Sequence, residues 1–155
     1  MTQIIFGERI AKTARLRLGC CGTLFEANRQ KILLTRRADN GQWCIPGGGV
    51  DPGEDVSEAC ARELFEETGL RVYVRRLIGV YSSPDCVIQY TNGERFQIVA
   101  FNFEVEAADG ALTLNSEVTE FGYFNALEIA RLDLLPNHRI RIQDVYTNQA
   151  MPFIR

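Results

Sequence analysis

Three glutamates, Glu63, Glu66 and Glu67, stand at spacing i, i+3, i+4 in the segment Val56–Thr68. On a helix, residues so spaced share one strip of surface. Cys60, Ala61, Leu64, Phe65 and Thr68 fall on a neighbouring apolar arc, the expected core face, with Ala59 beside the acidic strip. Like charges in one strip weaken a helix, so something must offset them. Oxygen-only clusters suit hard divalent ions, Mg²⁺ or Mn²⁺, and the lack of His or Cys ligands argues against zinc or copper. Just upstream lies Gly47-Gly48-Gly49, residues that tolerate positive φ and let backbone approach a ligand closely. A tight loop leading into a carboxylate strip would hold metal ions that bridge to phosphate oxygens. Displacement at phosphorus needs that combination: neutralised charge, alignment and an activated water.

The charge is unevenly divided along the chain. Residues 1–37 carry eight Lys and Arg against Glu8 and Glu26, whereas residues 51–67 carry seven carboxylates against Arg62 alone. The acidic block must be splayed into water or neutralised by cations. The basic N-terminal third has no interleaved exposed aromatics, which favours phosphate steering or solubility over nucleic-acid binding.

The elements that must position these groups follow from alternation and punctuation. Residues 15–25 and 31–37 read as two strands joined by a polar turn. Asp39-Asn40-Gly41 is a turn, and residues 43–45 form a short extended piece stopped by Pro46 and the three glycines. The helix over residues 56–68 follows a Pro-Gly turn and ends at Gly69, suited to a left-handed cap. Residues 72–81 and 96–105 are β-rich runs joined by a loop with Pro84, Asp85, Asn92 and Gly93. Residues 121–124 are a final strand, and residues 126–130 and 136–146 a short and a longer helix.

The 155 residues fit one domain, 1–155, and 46% hydrophobic with 24% charged residues excludes a disordered or fibrous chain. Five cysteines without a Cys-x-x-Cys pair, and a single histidine far from them, disfavour a disulfide framework or a structural zinc site. They read as small buried thiols of a cytoplasmic protein. No run approaches the ~20 apolar residues of a membrane span.

Residues 48–70 match the Nudix box, a glycine, five residues, Glu, seven residues, then Arg-Glu-aliphatic-x-Glu-Glu-x-Gly-aliphatic. Here these are Gly48, Glu54, Arg62, Glu63, Leu64, Glu66, Glu67, Gly69 and Leu70, without departure. The chain resembles that family, and the flanking KILLTRR and GQWCIPGG segments look similar too. The resemblance implies an α/β/α sandwich on a mixed sheet. It also implies metal-dependent hydrolysis of a nucleoside diphosphate linked to another moiety.

By position, Glu63, Glu66 and Glu67 match the family's metal-binding glutamates, with Glu66 and Glu67 central to catalysis. Glu54 matches a glutamate that assists metal binding or orients water, and Arg62 an arginine that holds a box glutamate in place. Gly47, Gly48 and Gly49 shape the loop. Gly47 and Gly48 are expected to contact substrate, and the Gly48 carbonyl to serve as a further metal ligand. Relatives place the catalytic base either in the box or on a distal loop. Glu117 and Glu120 are the distal candidates, and Glu117 is preferred because Leu114-Asn115-Ser116-Glu117 is loop-like. Arg36 and Arg37 end a strand, alternation sends one to each face, and Arg37 is chosen as the phosphate contact. Trp43 could stack on a base but fits local packing better. His138 reads as a surface or capping residue.

Nothing in the box selects the substrate. Pro84 lies fourteen residues past Leu70, one short of the proline of ADP-ribose-specific relatives. Positions 86–88 lack the tyrosine of dinucleoside-polyphosphate relatives. ADP-ribose or a nucleotide sugar and a (deoxy)nucleoside triphosphate rank level, for a monomer or homodimer. The alternative is a non-catalytic module that binds a nucleotide and signals to a partner.

Overall fold

The computed structural model describes residues 2–155. In chain order the strands are β1 (Gln3–Phe6), β2 (Arg15–Leu24), β3 (Ile32–Arg37), β4 (Trp43–Cys44) and β5 (Gly47–Gly49), then β6 (Leu70–Tyr81), β7 (Cys86–Gln89), β8 (Arg95–Gly110), β9 (Val118–Phe124) and β10 (Phe153–Ile154). The helices are α1 (Val56–Thr68), α2 (Ala126–Ile129) and α3 (Arg139–Tyr146), and 3₁₀ turns lie at Ile10–Thr13 and Pro136–His138.

The larger sheet is built on β8. Strand β2 runs parallel along one edge of it, from Arg15 opposite Phe96 to Leu24 opposite Val105. The other edge is shared: β7 pairs near Phe96, and β6 pairs from Ala100 to Gly110, both antiparallel. Strand β1 closes onto β7, β10 lies parallel to β6, and β5 pairs antiparallel with β2 through Cys21↔Gly47 and Gly19↔Gly49. The second sheet is antiparallel in the order β4-β3-β9.

Alternation along the central strands divides the apolar side chains between two cores, because successive residues point to opposite faces. Cys20 and Leu33 pack with Ala59, Cys60 and Leu64 of α1, together with Phe103 and Val105. Cys21, Ile32 and Leu34 pack with Ile45, Ile78 and, from α3, Ile142 and Val145. The result is a mixed-sheet α/β/α arrangement with α1 on one side and α3 on the other. That is the fold class the resemblance implied.

Several expectations shift in register. Val118 already pairs with Arg37, so β9 starts earlier than residue 121 and takes Glu120 into the strand. The expected loop after residue 81 contains β7, recruited by the long-range partner β1. The glycine run forms strand β5 rather than only ending β4. On α1 the buried set is Ala59, Cys60, Leu64, Glu67 and Thr68, while Phe65 is exposed beneath the Arg71 guanidinium. The core arc is therefore rotated toward the acidic strip, because β5 lies against that side of the helix. Trp43 packs edge-on against Phe124, ring centroids 4.9 Å apart, as local packing requires.

Candidate active site

Helix α1 is fixed at both ends. Asp55 accepts hydrogen bonds from the Ser57 and Glu58 amides at 2.8 and 2.9 Å, and Glu58 accepts from the Asp55 amide at 2.9 Å, a reciprocal capping box. Gly69 terminates it at φ 77°, a left-handed conformation that costs glycine little. The turns between set which carboxylate meets which part of β5.

Glu67 is buried, 8% exposed, and its Oε2 accepts the Gly47 amide hydrogen at 3.0 Å. Burial pushes its carboxyl up to about 7; the Gly47 hydrogen bond opposes this, and the nearby Glu63 charge adds to it. Burial also raises Glu63, against the pull of Arg62. A Cβ at Gly48 would overlap the Glu63 carboxylate, so only glycine lets that carboxylate lie against the strand. Gly47 and Gly48 thus shape the site through backbone.

Arg62 is the counter-charge. Its guanidinium donates to both oxygens of Glu54 at 2.6 and 2.9 Å, to Glu63 at 3.0 Å, to Glu66 at 3.1 Å and to the Gly49 carbonyl at 3.0 Å. Bidentate pairing of this kind is geometrically specific. It holds the Glu54 carboxyl down at about 2. Glu63 and Glu66 are consequently turned onto Arg62. Among the described residues no three His, Cys, Asp or Glu side chains already converge as a metal site. The chemistry of the donors nonetheless fits a hard cation. Glu63, Glu66, Glu67 and the Gly48 carbonyl are all oxygen donors, and a guanidinium already sits where positive charge is required.

The two distal candidates separate cleanly. Glu120 lies in β9 and pairs with Arg36 at 2.6 Å, both half exposed. Glu117 precedes β9, and its charge is felt at both Glu63 and Glu67. Asn115, which the sequence reading named only as part of a loop-like stretch, ties this loop to α1. Its amide donates to the Glu66 carbonyl at 2.6 Å, and its oxygen accepts from the Glu117 and Val118 amides at 2.8 Å each. An Asn two residues before a candidate base is a recognisable turn signal and was the available clue.

Arg36 and Arg37 do diverge. Arg36 turns to Glu120 and to the Gly41 carbonyl, whereas Arg37 is bound by Asp39 at 2.9 and 3.0 Å and acts electrostatically on Glu67. Arg37 lines an open groove of about 470 Å³ with Asn40, Gln42, Tyr90 and Pro136. His138 is not at the surface. It is 7% exposed, and its Nδ1 accepts the Ile45 amide hydrogen at 3.2 Å. Burial first, then the charges of Arg141 and Arg37, lower its pKa well below the ordinary value and keep the ring neutral. The backbone it holds is two residues from Gly47.

A family model described as NUDIX domain matches residues 15–146, and the chain belongs to that family. It is 37% identical over 105 residues to a protein named ADP-ribose pyrophosphatase from Methanocaldococcus jannaschii, a match covering 66% of this chain and 59% of that relative. It is 31% identical over 115 residues to the protein named nucleoside triphosphatase NudI from Escherichia fergusonii, covering 69% and 82% respectively. A solved NUDIX hydrolase from Nitrosomonas europaea superposes with a TM-score of 0.72 at 22% identity, over 90% of this chain and 94% of that one. No helix among the described residues is long and apolar enough to cross a membrane.

Proposed function

We propose that this protein hydrolyses the pyrophosphate bond of a nucleoside diphosphate linked to another moiety, by attack of water at phosphorus. One observation carries the reading: a buried carboxylate, Glu67, locked to the Gly47 amide and flanked by Glu63 and Glu66, with Arg62 clamping the rest of the acidic strip. Such a cluster is costly to a fold unless it serves to hold a cation. Glu63, Glu66, Glu67 and the Gly48 carbonyl would hold Mg²⁺ or Mn²⁺. The ion supplies neutralisation of phosphate charge and acidification of water. Glu117 takes the proton of the attacking water, and Asn115 fixes the loop that carries it. Glu54 acts through Arg62, keeping the guanidinium aligned along the strip. Arg37, released from Asp39, binds a substrate phosphate at the mouth of the groove.

The relatives' printed names support two substrate types, ADP-ribose and nucleoside triphosphates, and both contain the bond this site would cleave. Four buried free thiols, Cys20, Cys21, Cys44 and Cys60, support the cytoplasm as the place of action. The test is a panel with Mg²⁺ of ADP-ribose, nucleotide sugars and (deoxy)nucleoside triphosphates, reading phosphate, pyrophosphate and nucleoside monophosphate. Release of nucleoside monophosphate from one class supports the reading. Binding of nucleotides without any cleavage would favour the non-catalytic module instead.

A further inference from the structure

Strand β4 leads straight into the glycine segment of the site, and residues 133–135 run along its edge. The Trp43 amide donates to the Asp133 carbonyl at 2.8 Å, and the Leu135 amide donates to the Trp43 carbonyl at 2.8 Å, a parallel ladder centred on Trp43 and Leu134. The next rung of such a ladder would join the Ile45 amide to the Leu135 carbonyl, because parallel rungs repeat at every second residue. That acceptor is taken. Pro136 starts a 3₁₀ turn, and the Leu135 carbonyl accepts the His138 amide hydrogen at 2.9 Å.

His138 restores the rung with its side chain. Ile45 is buried, and its amide donates to His138 Nδ1 at 3.2 Å, across 93 residues of sequence. A buried backbone N–H without an acceptor is costly, so the ring nitrogen answers a need of the chain at this point. The amide hydrogen cannot move, so Nδ1 keeps its lone pair and the ring proton lies on Nε2. Nε2 faces an Arg141 terminal nitrogen at 3.2 Å, whose charge opposes a second proton on the ring. Just beyond Ile45, the Gly22 amide donates to the Pro46 carbonyl at 3.0 Å, and the Gly47 amide donates to Glu67 Oε2 at 3.0 Å. Residues 45–47 are thus pinned in turn from the C-terminal 3₁₀ turn, from β2 and from α1. The side chains in these three bonds are those of His138 and Glu67 alone.

We propose that His138 is a positioning residue of the candidate metal site: its Nδ1 holds the 45–47 segment in the register that sets the Gly47 amide on Glu67 and lays the Gly48 backbone against the Glu63 carboxylate. Without Nδ1 the Ile45 amide must find another acceptor, and the segment shifts toward it. A shift of about 1 Å at a reacting centre is enough to cost about 100-fold in rate. The role rests on the reading of Glu63, Glu66, Glu67 and the Gly48 carbonyl as metal ligands, but its test needs neither substrate nor turnover.

Variants at two positions separate positioning from plain stability. His138→Leu removes the acceptor. His138→Asn keeps one in the same place, because Asn Oδ1 and His Nδ1 are equally many bonds from Cα. Val145→Ala loosens the packing of α3 without touching the ladder. Manganese affinity is read by electron paramagnetic resonance on the full chain without nucleotide, and the Gly47 amide resonance by NMR of the metal-free protein. In the wild type a coupling through the hydrogen bond should link the Ile45 amide nitrogen to His138 Nδ1, and its absence overturns the inference. In His138→Leu the manganese dissociation constant is expected to rise at least about tenfold, the worth of one hydrogen bond, and the Gly47 resonance to move. His138→Asn and Val145→Ala should stay within about threefold of the wild type, although Val145→Ala melts lower. Unchanged affinity in His138→Leu, an equal loss in Val145→Ala, or no manganese binding by the wild type overturns the role. Should His138→Leu fail to fold, His138→Gln, whose carbonyl sits one bond farther out, should weaken manganese binding at least about threefold, and wild-type affinity there overturns it too. The expected pattern of manganese binding without hydrolysis of any nucleotide would sink the hydrolase reading and leave the positioning role standing. Hydrolysis by a protein whose manganese affinity is indifferent to His138 would do the reverse.

Discussion

The replacement Glu67→Gln separates the cost of the site to the fold from its use in chemistry. In the metal-free protein the Glu67 carboxyl stands at about 7 instead of the ordinary 4.5, chiefly because it is buried. At about 1.4 kcal/mol per pH unit, that difference amounts to about 3 kcal/mol against the ionised folded state. The folded pKa exceeds the unfolded one, so the folded chain binds the extra proton between them. Stability from this group is fully present below pH 4.5 and is lost as pH rises through about 7. With Glu67 only 8% exposed, solvent screening takes little from the figure.

Gln keeps an oxygen for the Gly47 amide but adds an NH₂ that must find acceptors, at about 1 kcal/mol. Denaturation in EDTA should therefore show two curves that cross. The variant is about 1 kcal/mol less stable near pH 4.5 and about 2 kcal/mol more stable at pH 8, roughly 4–8 °C in Tm for a domain of this size. With Mg²⁺ present kcat should fall by at least about 100-fold, close to 3 kcal/mol of transition-state stabilisation. Parallel stability curves would refute the burial argument. Near-normal kcat would reduce the acidic strip to a solvated face.

Glu117→Gln should lower kcat by about 10²–10⁴-fold with the same magnesium dependence, whereas Glu120→Gln, losing only an exposed pair with Arg36, should be nearly silent; kcat against magnesium concentration for both decides. A crippled Glu120 variant beside a silent Glu117 variant would contradict the register of β9. EDTA should abolish turnover, manganese should restore it as magnesium does, and zinc should serve poorly because each proposed ligand is an oxygen. His138, whose folded pKa is depressed, contributes stability that is present above its unfolded value near 6.5 and lost as pH falls. His138→Asn keeps an acceptor for the Ile45 amide, so its Tm should decline less than that of the wild type between pH 7 and 5.

The acidic strip was legible because its spacing is local: a helix places i, i+3 and i+4 together whatever surrounds it. The same holds for the Gly69 cap and for the divergence of Arg36 from Arg37, which strand alternation gives, although the pairing with β9 shifts register between the two. The degree to which each carboxylate is buried was not local. Glu67 is sealed because β5 pairs with β2 and brings Gly47 over it, a contact between residues far apart in sequence. Phe65, by its type, should have been the core residue of that turn, and the position of β5 gave the place to Glu67 instead.

His138 and Arg141 show the limit most plainly. His138 reads as a surface or capping residue, and nothing in the sequence marks Arg141, since burial of an unpaired cation is unfavourable in any sequence taken alone. Their burial is tolerated here because each meets a backbone or side chain contributed from a distant strand: the Ile45 amide from after β4 for His138, and Cys21 of β2 and the Tyr81 ring at the end of β6 for Arg141. Partners that incomplete leave part of the guanidinium unmatched. A fold that has matched Arg62 five times over on one face of the sheet, yet leaves Arg141 short on the other, is treating the two cations differently. The first is an internal clamp on the acidic strip. The second is held by the Cys21 sulfur at 3.8 Å and by the Tyr81 ring 5.6 Å from its guanidinium carbon, contacts that tie α3 to β2 and to the end of β6.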